Sequence, residues 1–274
     1  MERSNVWVRS MGLDVDGSLF VDIHNGIRLY DRCLDAGPPH AVLFDPGDLV
    51  RPENRRLYYS FLATLNEIDG VMIHAAYEGG YRFKRGDVVV DAGARIGTFA
   101  AKLSAALGRE GRIIAIEPEP RNYACLRKNI EANRLDNVTA IQKMLWSHRQ
   151  RLDLYLSLNA AAHSAYRDAF YGPTGETVGV EAEDLDGILE ALGVDSVDFI
   201  KMDIEGSEIE ALKGMKRTLQ SSVQLGIAAY HPVGGRLTHA VIVPELEALG
   251  FEAAYADGIV RAKRSGLNGS SPGR

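Results

Sequence analysis

Short apolar runs and longer amphipathic stretches alternate along residues 87–264. "DVVVDA" (87–92), "GRIIAIEPE" (111–119), "NVTAIQKML" (137–145), "SVDFIKMDIEG" (196–206) and "SVQLGIAAYHP" (222–232) have strand length. Their apolar positions are continuous, the pattern of parallel strands buried on both faces. Helix-length segments separate them: "GTFAAKLSAALG", "PRNYACLRKNIEANRL", "EAEDLDGILEALGV" and "SEIEALKGMKRTLQ", with "HAVIVPELEALG" after the last. Gly108 closes the first, Pro120 opens the second, and Ser207 with Glu210 has the spacing of a capping box. "FEAAYADGIVRAKR" reads as two strands around Asp257-Gly258. Repeated β-α units predict an α/β fold: a mostly parallel, Rossmann-like sheet, helices on both faces, right-handed crossovers and an antiparallel C-terminal hairpin.

The alternation breaks between Arg151 and Val180. There "RLDLYLSL" alternates at period two and "TVGVEAE" is set to pair with it, which predicts an inserted flap over about residues 151–180. Residues 1–80 carry a hairpin signal at Asn25-Gly26 and a helix signal in "RPENRRLYYSFLATLNEI"; they read as an N-terminal cap on a main domain of residues 81–264. Residues 265–274, "SGLNGSSPGR", read as a disordered tail.

Composition narrows the function classes. The chain has 274 residues, enough for a sizeable core, and its net charge of −6 offers no general basic surface, so nucleic acid is not expected as a partner. The N-terminal "MERSNVWVRS" has no secretory apolar region, and no run is long enough to span a membrane. With two cysteines far apart, Cys33 and Cys125, the simplest setting is a reducing cytoplasm. The sequence is silent on oligomeric state, and a homo-oligomer stays open.

In open α/β sheets, ligands bind beyond the carboxyl ends of the strands, at the switch point. The residues predicted there are Asp91, Gly93 and Gly97 after the first strand, Glu117 and Pro118 after the second, Lys143 and Met144 after the third, Asp203 and Glu205 after the fourth, and His231 after the fifth. "VVVDAGARIGTFA" resembles a dinucleotide loop in which Arg95 takes the place of the second glycine. That glycine lets a pyrophosphate approach the backbone. A ligand without pyrophosphate, such as S-adenosylmethionine, tolerates the arginine better. Glu117, 20 residues beyond Gly97, stands where an acid accepts both ribose hydroxyls.

"GDVVVDAGARIGTFA", "IIAIEPEPRNYACLRKNIEAN" and above all "VDFIKMDIEGSEIEALKGM" resemble the FkbM family of S-adenosylmethionine-dependent methyltransferases, over about Gly86 to His231. The resemblance implies a seven-stranded class I methyltransferase fold in residues 81–264. It implies S-adenosylmethionine as cofactor, and together with the strand-end positions this makes Asp91, Gly93, Arg95, Gly97, Glu117, Pro118, Met144 and Asp203 the residues expected to hold it. It also implies methyl transfer to a hydroxyl of a sugar, polyketide-like or other small molecule. Two positions depart from the family pattern: Arg95 where asparagine is usual, and Ala229 where a glutamate often precedes the histidine by two residues.

An alcohol acceptor must lose its proton, which calls for a general base. His231, Asp203 and Glu205 are the candidates. Glu205 also precedes a helix start, where a carboxylate suits the helix dipole. Lys201, inside a parallel strand, must pair, with Asp91 or Asp203. His163 and Ser164 in the flap are placed to face the acceptor. Asp203 and Glu205 start a set of oxygen ligands that no neighbour in sequence completes, so no metal is expected. The alternative readings are an RNA or protein methyltransferase on the same fold, a nicotinamide-dependent oxidoreductase, and a non-catalytic cofactor-binding protein.

Overall fold

The structure is a computed structural model that describes residues 8–14, 18–33, 55–167 and 173–264. The chain opens with an antiparallel sheet of β1 (Val8–Leu13), β2 (Ser18–Ile23) and β3 (Arg28–Cys33), in which Asn25-Gly26 makes the turn between β2 and β3. Helix α1 (Arg55–Ile68) follows and runs into a π-helical turn at Asp69–Ile73.

The central sheet contains β4 (Val88–Ala92), β5 (Arg112–Ile116) and β6 (Val138–Ile141), linked by α2 (Thr98–Leu107) and α3 (Pro120–Ala132). β7 (Met144–Leu145), β8 (Gln150–Ser157) and β9 (Pro173–Glu183) form a separate small sheet. α4 (Leu185–Ala191), β10 (Phe199–Met202), α5 (Glu208–Lys213) and β11 (Gln224–Ala228) then return to the centre. After the short pair β12 (Pro232–Val233) and β13 (Arg236–Leu237) come α6 (His239–Ala248), β14 (Phe251–Ala256) and β15 (Ile259–Arg264).

The strand order β14-β15-β11-β10-β4-β5-β6 makes a seven-stranded sheet in which β15 alone runs against the others. This is the class I methyltransferase arrangement that the resemblance implies. Val89, Val90, Ile113, Ile114 and Ile200 are fully buried, which explains the unbroken apolar runs: helices cover both faces of these strands. β4 lies at the centre, with β5 on one side and β10 on the other, so the switch point opens at the ends of β4 and β10.

The N-terminal sheet is joined to α3 by two asparagines one helical turn apart. Asn129 exchanges hydrogen bonds with the backbone of Tyr30, and Asn133 with that of Arg28. Val21, Ile23 and Leu29 pack with Ile96, Ala101 and Leu135 beneath them.

Two readings from the sequence are corrected. "NVTAIQKML" is not one strand: β6 stops at Ile141, and Met144-Leu145 pairs with Ala182 and Glu183 of β9 instead. The Ser207–Glu210 capping box does not form. Ser207 makes no side-chain cap, and Glu208 turns back so that its Oε1 accepts from the N–H groups of Ile204 and Gly206. A carboxylate nearer the turn has taken over that role. The tail at 265–274 and the side chain of Cys33 lie outside the described residues.

Candidate active site

β4 and β10 run in register, Lys201 opposite Asp91 and Met202 opposite Ala92. They come so close at their ends that a Cβ on Gly93 would sit 1.8 Å from the Asp203 carbonyl oxygen. With φ +73°, this position admits glycine almost alone. Lys201 resolves its buried charge here. Its Nζ lies 3.0 Å from Asp91 Oδ1 and donates to the Gly93 carbonyl at 2.7 Å. Burial works against the ammonium, but Asp91 first and then Asp203 outweigh it and raise its pKa. Lys201 and Asp91 are therefore a structural pair that holds the loop after β4.

Arg95 was expected at the cofactor, and there the structure corrects the sequence. Its backbone is left-handed, φ +48°, and its N–H donates to Glu117 Oε2. Its side chain, however, runs into the N-terminal sheet and α1, with Nη2 2.7 Å from Asp31 and Nη1 2.6 Å from Glu67. The guanidinium is committed to two carboxylates that lie far away in sequence, Asp31 and Glu67, the second of which also lines the neighbouring cleft.

Glu117 is buried and gathers three donors: the N–H groups of Arg95 and Glu119, and the Asn122 amide. Burial nevertheless raises its carboxyl to about 7. It lines a cleft with Gly93, Pro118, Asn122 and Met144, walled by Leu145 and Leu154. Asn122 Oδ1 is buried there with no hydrogen-bond partner. A carboxylate for a ribose diol, an amide oxygen for an N–H donor and an apolar wall for a purine fit S-adenosylmethionine. Gly97 shapes the loop's exit: at φ +87°, it precedes α2 and lies against Leu126.

A second cleft adjoins the first and shares Gly93, Arg95, Asp203 and Glu205 with it. Tyr77, from the segment after the π-helical turn, donates to Asp203 Oδ2 at 2.6 Å. Burial first and then Asp203 hold its phenol well above the usual range. Nothing in the sequence marked Tyr77; only folding brings it across the sheet ends.

His231 is 5% exposed, with Nε2 3.4 Å from Glu205 and 3.7 Å from Asp203. Nδ1 lies 3.0 Å from Glu208 Oε1, an ion-pair contact rather than an aligned hydrogen bond. Burial opposes the imidazolium, but Glu208, Asp203 and Glu205 outweigh it and raise His231 to about 9. Glu205, at φ +54°, is pushed to about 8 by burial and then by Asp203. Glu208 went unnoticed in the sequence because it reads as an ordinary first-turn helix acid. Ala229, buried just after β11, contributes no carboxylate, and the acids around His231 come from the loop after β10 and from α5 instead.

The ligand set that the sequence left incomplete is filled in space by His231: ligand atoms of Asp203, Glu205 and His231 lie within 4.8 Å of one another. In the flap, β8 and β9 pair as an antiparallel hairpin. His163 lines the first cleft, and its Nδ1 accepts from the Ser157 N–H. Ser164, expected to face the acceptor, is buried and donates to the Glu205 carbonyl at 2.6 Å, so it fastens the flap.

Among the described residues, no helix is long and apolar enough to cross a membrane. A family profile described as the methyltransferase FkbM domain matches residues 91–253. The methyltransferase sdnD of Sordaria araneosa is 29% identical over 190 residues, 59% of this chain and 70% of that protein. The 31-O-demethyl-FK506 methyltransferase FkbM of Streptomyces tacrolimicus is 26% identical over 189 residues, 59% of this chain and 72% of that protein. Among solved structures, the methyltransferase FkbM of Methylobacillus flagellatus KT aligns with a TM-score of 0.49 at 20% identity, over 79% of this chain and 60% of that one. With more than half of its length matched by the profile, the chain belongs to the FkbM methyltransferase family.

Proposed function

We propose that the protein is an S-adenosylmethionine-dependent methyltransferase acting on a hydroxyl of a small molecule. The observation that supports this best is the junction of two clefts at the ends of β4 and β10. One is lined by Glu117 and the glycine loop, the other by Tyr77 and Lys201, and both by Asp203 and Glu205. The relative named for 31-O-demethyl-FK506 supports an oxygen acceptor.

S-adenosylmethionine supplies an electrophilic methyl group on a sulfonium. The chain's task is to orient both partners and to receive a proton. Glu117 would accept the ribose hydroxyls, and the Gly93–Gly97 loop would hold the amino-acid end. Asp203 takes the acceptor proton: it stands where the clefts meet, Tyr77 holds Oδ2, and Oδ1 has no hydrogen-bond partner. His231, raised to about 9, carries its proton at neutral pH and keeps the surrounding carboxylates together rather than acting as base.

Calorimetric titration with S-adenosylmethionine, S-adenosylhomocysteine and NADH tests the cofactor. Binding of NADH with neither sulfur ligand overturns the reading. A panel of hydroxylated small molecules with labelled cofactor then tests the acceptor. Asp203→Asn is expected to lower kcat at least a hundredfold with little change in cofactor affinity.

A further inference from the structure

Three carboxylates converge on His231, and the two on its Nε2 side stand farther off than a charged hydrogen bond. A charged imidazole bonded to a carboxylate sits about 2.7–2.9 Å from it. Nε2 lies 3.4 Å from Glu205 Oε2 and 3.7 Å from Asp203 Oδ1, and it has no hydrogen-bond partner. Asp203 Oδ1 is likewise buried and unpartnered. Ligands each about 2.1 Å from one metal ion stand roughly 3–4 Å from one another, and both contacts of Nε2 have that spacing.

We infer that Asp203, Glu205 and His231 form a divalent-cation site, a proposal that rests on the methyltransferase reading for its catalytic meaning. The imidazole is 95% buried by its 5% exposure, and its unpartnered Nε2 points between the two carboxylates. Behind it, Nδ1 lies 3.0 Å from Glu208, which is 0% exposed. Carboxylate–histidine–metal sites are oriented in this way. Charge points the same way. Lys201 is spent on Asp91, which leaves Asp203, Glu205 and Glu208 around one imidazole. A divalent cation displacing the Nε2 proton adds one net positive charge and reduces that excess.

One imidazole and two carboxylates suit a first-row ion such as Mn²⁺. Asp203 and Glu205 line both clefts, so the remaining coordination positions of the ion open to water or to an acceptor oxygen. With the ion bound, Asp203 Oδ1 is a ligand, so Asp203 acts on the acceptor hydroxyl through the ion and not as a free base. The arrangement is absent from the sequence pattern because His231 follows β11, whereas the acids follow β10.

Mn²⁺ titrated into the chelator-stripped full chain, with free ion followed by electron paramagnetic resonance, tests the site. One ion per chain is expected, bound at least tenfold more weakly in Asp203→Asn, Glu205→Gln and His231→Gln. No binding, or equal affinity in all three variants, overturns the site. If a variant fails to fold, pulsed resonance on the wild type decides: nitrogen coupling from an imidazole supports the site, and its absence overturns it. S-adenosylmethionine titration separates the two proposals. A chain that binds the nucleotide without Mn²⁺ loses only the metal site, and one that binds Mn²⁺ without either sulfur ligand loses the proposed activity and keeps the site.

Discussion

The Arg95 guanidinium lies 2.7 Å from the Asp31 carboxylate, which bonds the loop after β4 to the N-terminal sheet. The two side chains are 6% and 1% exposed, so water screens neither. Arg95→Ala strands Asp31 and Glu67 together and is expected to cost about 3–5 kcal/mol. Urea denaturation checks this, and a loss below about 1 kcal/mol means that the pair is solvated.

Gly93 and Gly234 both have positive φ, so alanine strains both. Only at Gly93 does the new Cβ meet backbone, 1.8 Å from the Asp203 carbonyl; at Gly234 nothing lies within 4 Å. Gly234→Ala is expected to cost about 1–2 kcal/mol. Gly93→Ala is expected to cost more and to abolish S-adenosylmethionine binding. Calorimetric melting and titration of both variants give the comparison, and equal losses of stability refute it.

Glu117 links pH to both stability and binding. Its folded pKa of about 7 lies above the ordinary carboxyl value of 4.5, so the native state holds the extra proton in between. Its contribution is fully present below about 4.5 and is lost as pH rises through about 7. The penalty at alkaline pH is of order 3 kcal/mol for this buried group. The carboxylate is the form that accepts two ribose hydroxyls, so S-adenosylmethionine affinity should rise with pH through about 7. Glu117→Gln should weaken binding and flatten that profile in calorimetry between pH 6 and 8.

Lys201→Met leaves Asp91, 0% exposed, without its cation and is expected to cost about 3–5 kcal/mol. Adding Asp91→Asn should recover part of that loss. A double-mutant cycle measures the coupling, and additive losses would show that the two charges are stabilised independently.

The sheet, its hairpin and the flap were legible because each depends on a local period: continuous apolar runs, helical spacing, or a two-residue turn. The positions of Asp91, Gly93, Gly97 and Glu117 around the strand ends were legible because they sit at fixed offsets from β4 and β5. The predicted pairing of Lys201 also held, since a buried ammonium must find an acid and Asp91 lies directly opposite in register. Ser207 misled because its capping spacing is local, whereas Glu208 is drawn to the turn at Ile204–Gly206 and to His231.

The sequence by itself determined the element order, the parallel sheet and the strand ends that carry the acids, because backbone periodicity and propensity act over a few residues. Only the tertiary structure decided where side chains meet. Arg95 turns to Asp31 and Glu67, Tyr77 crosses to Asp203, and His231 settles among Asp203, Glu205 and Glu208. The reason is electrostatic: a buried charge is stabilised only by partners within a few ångströms. In this chain those partners come from the N-terminal sheet, α1, the loop after β10 and α5, which no local pattern relates.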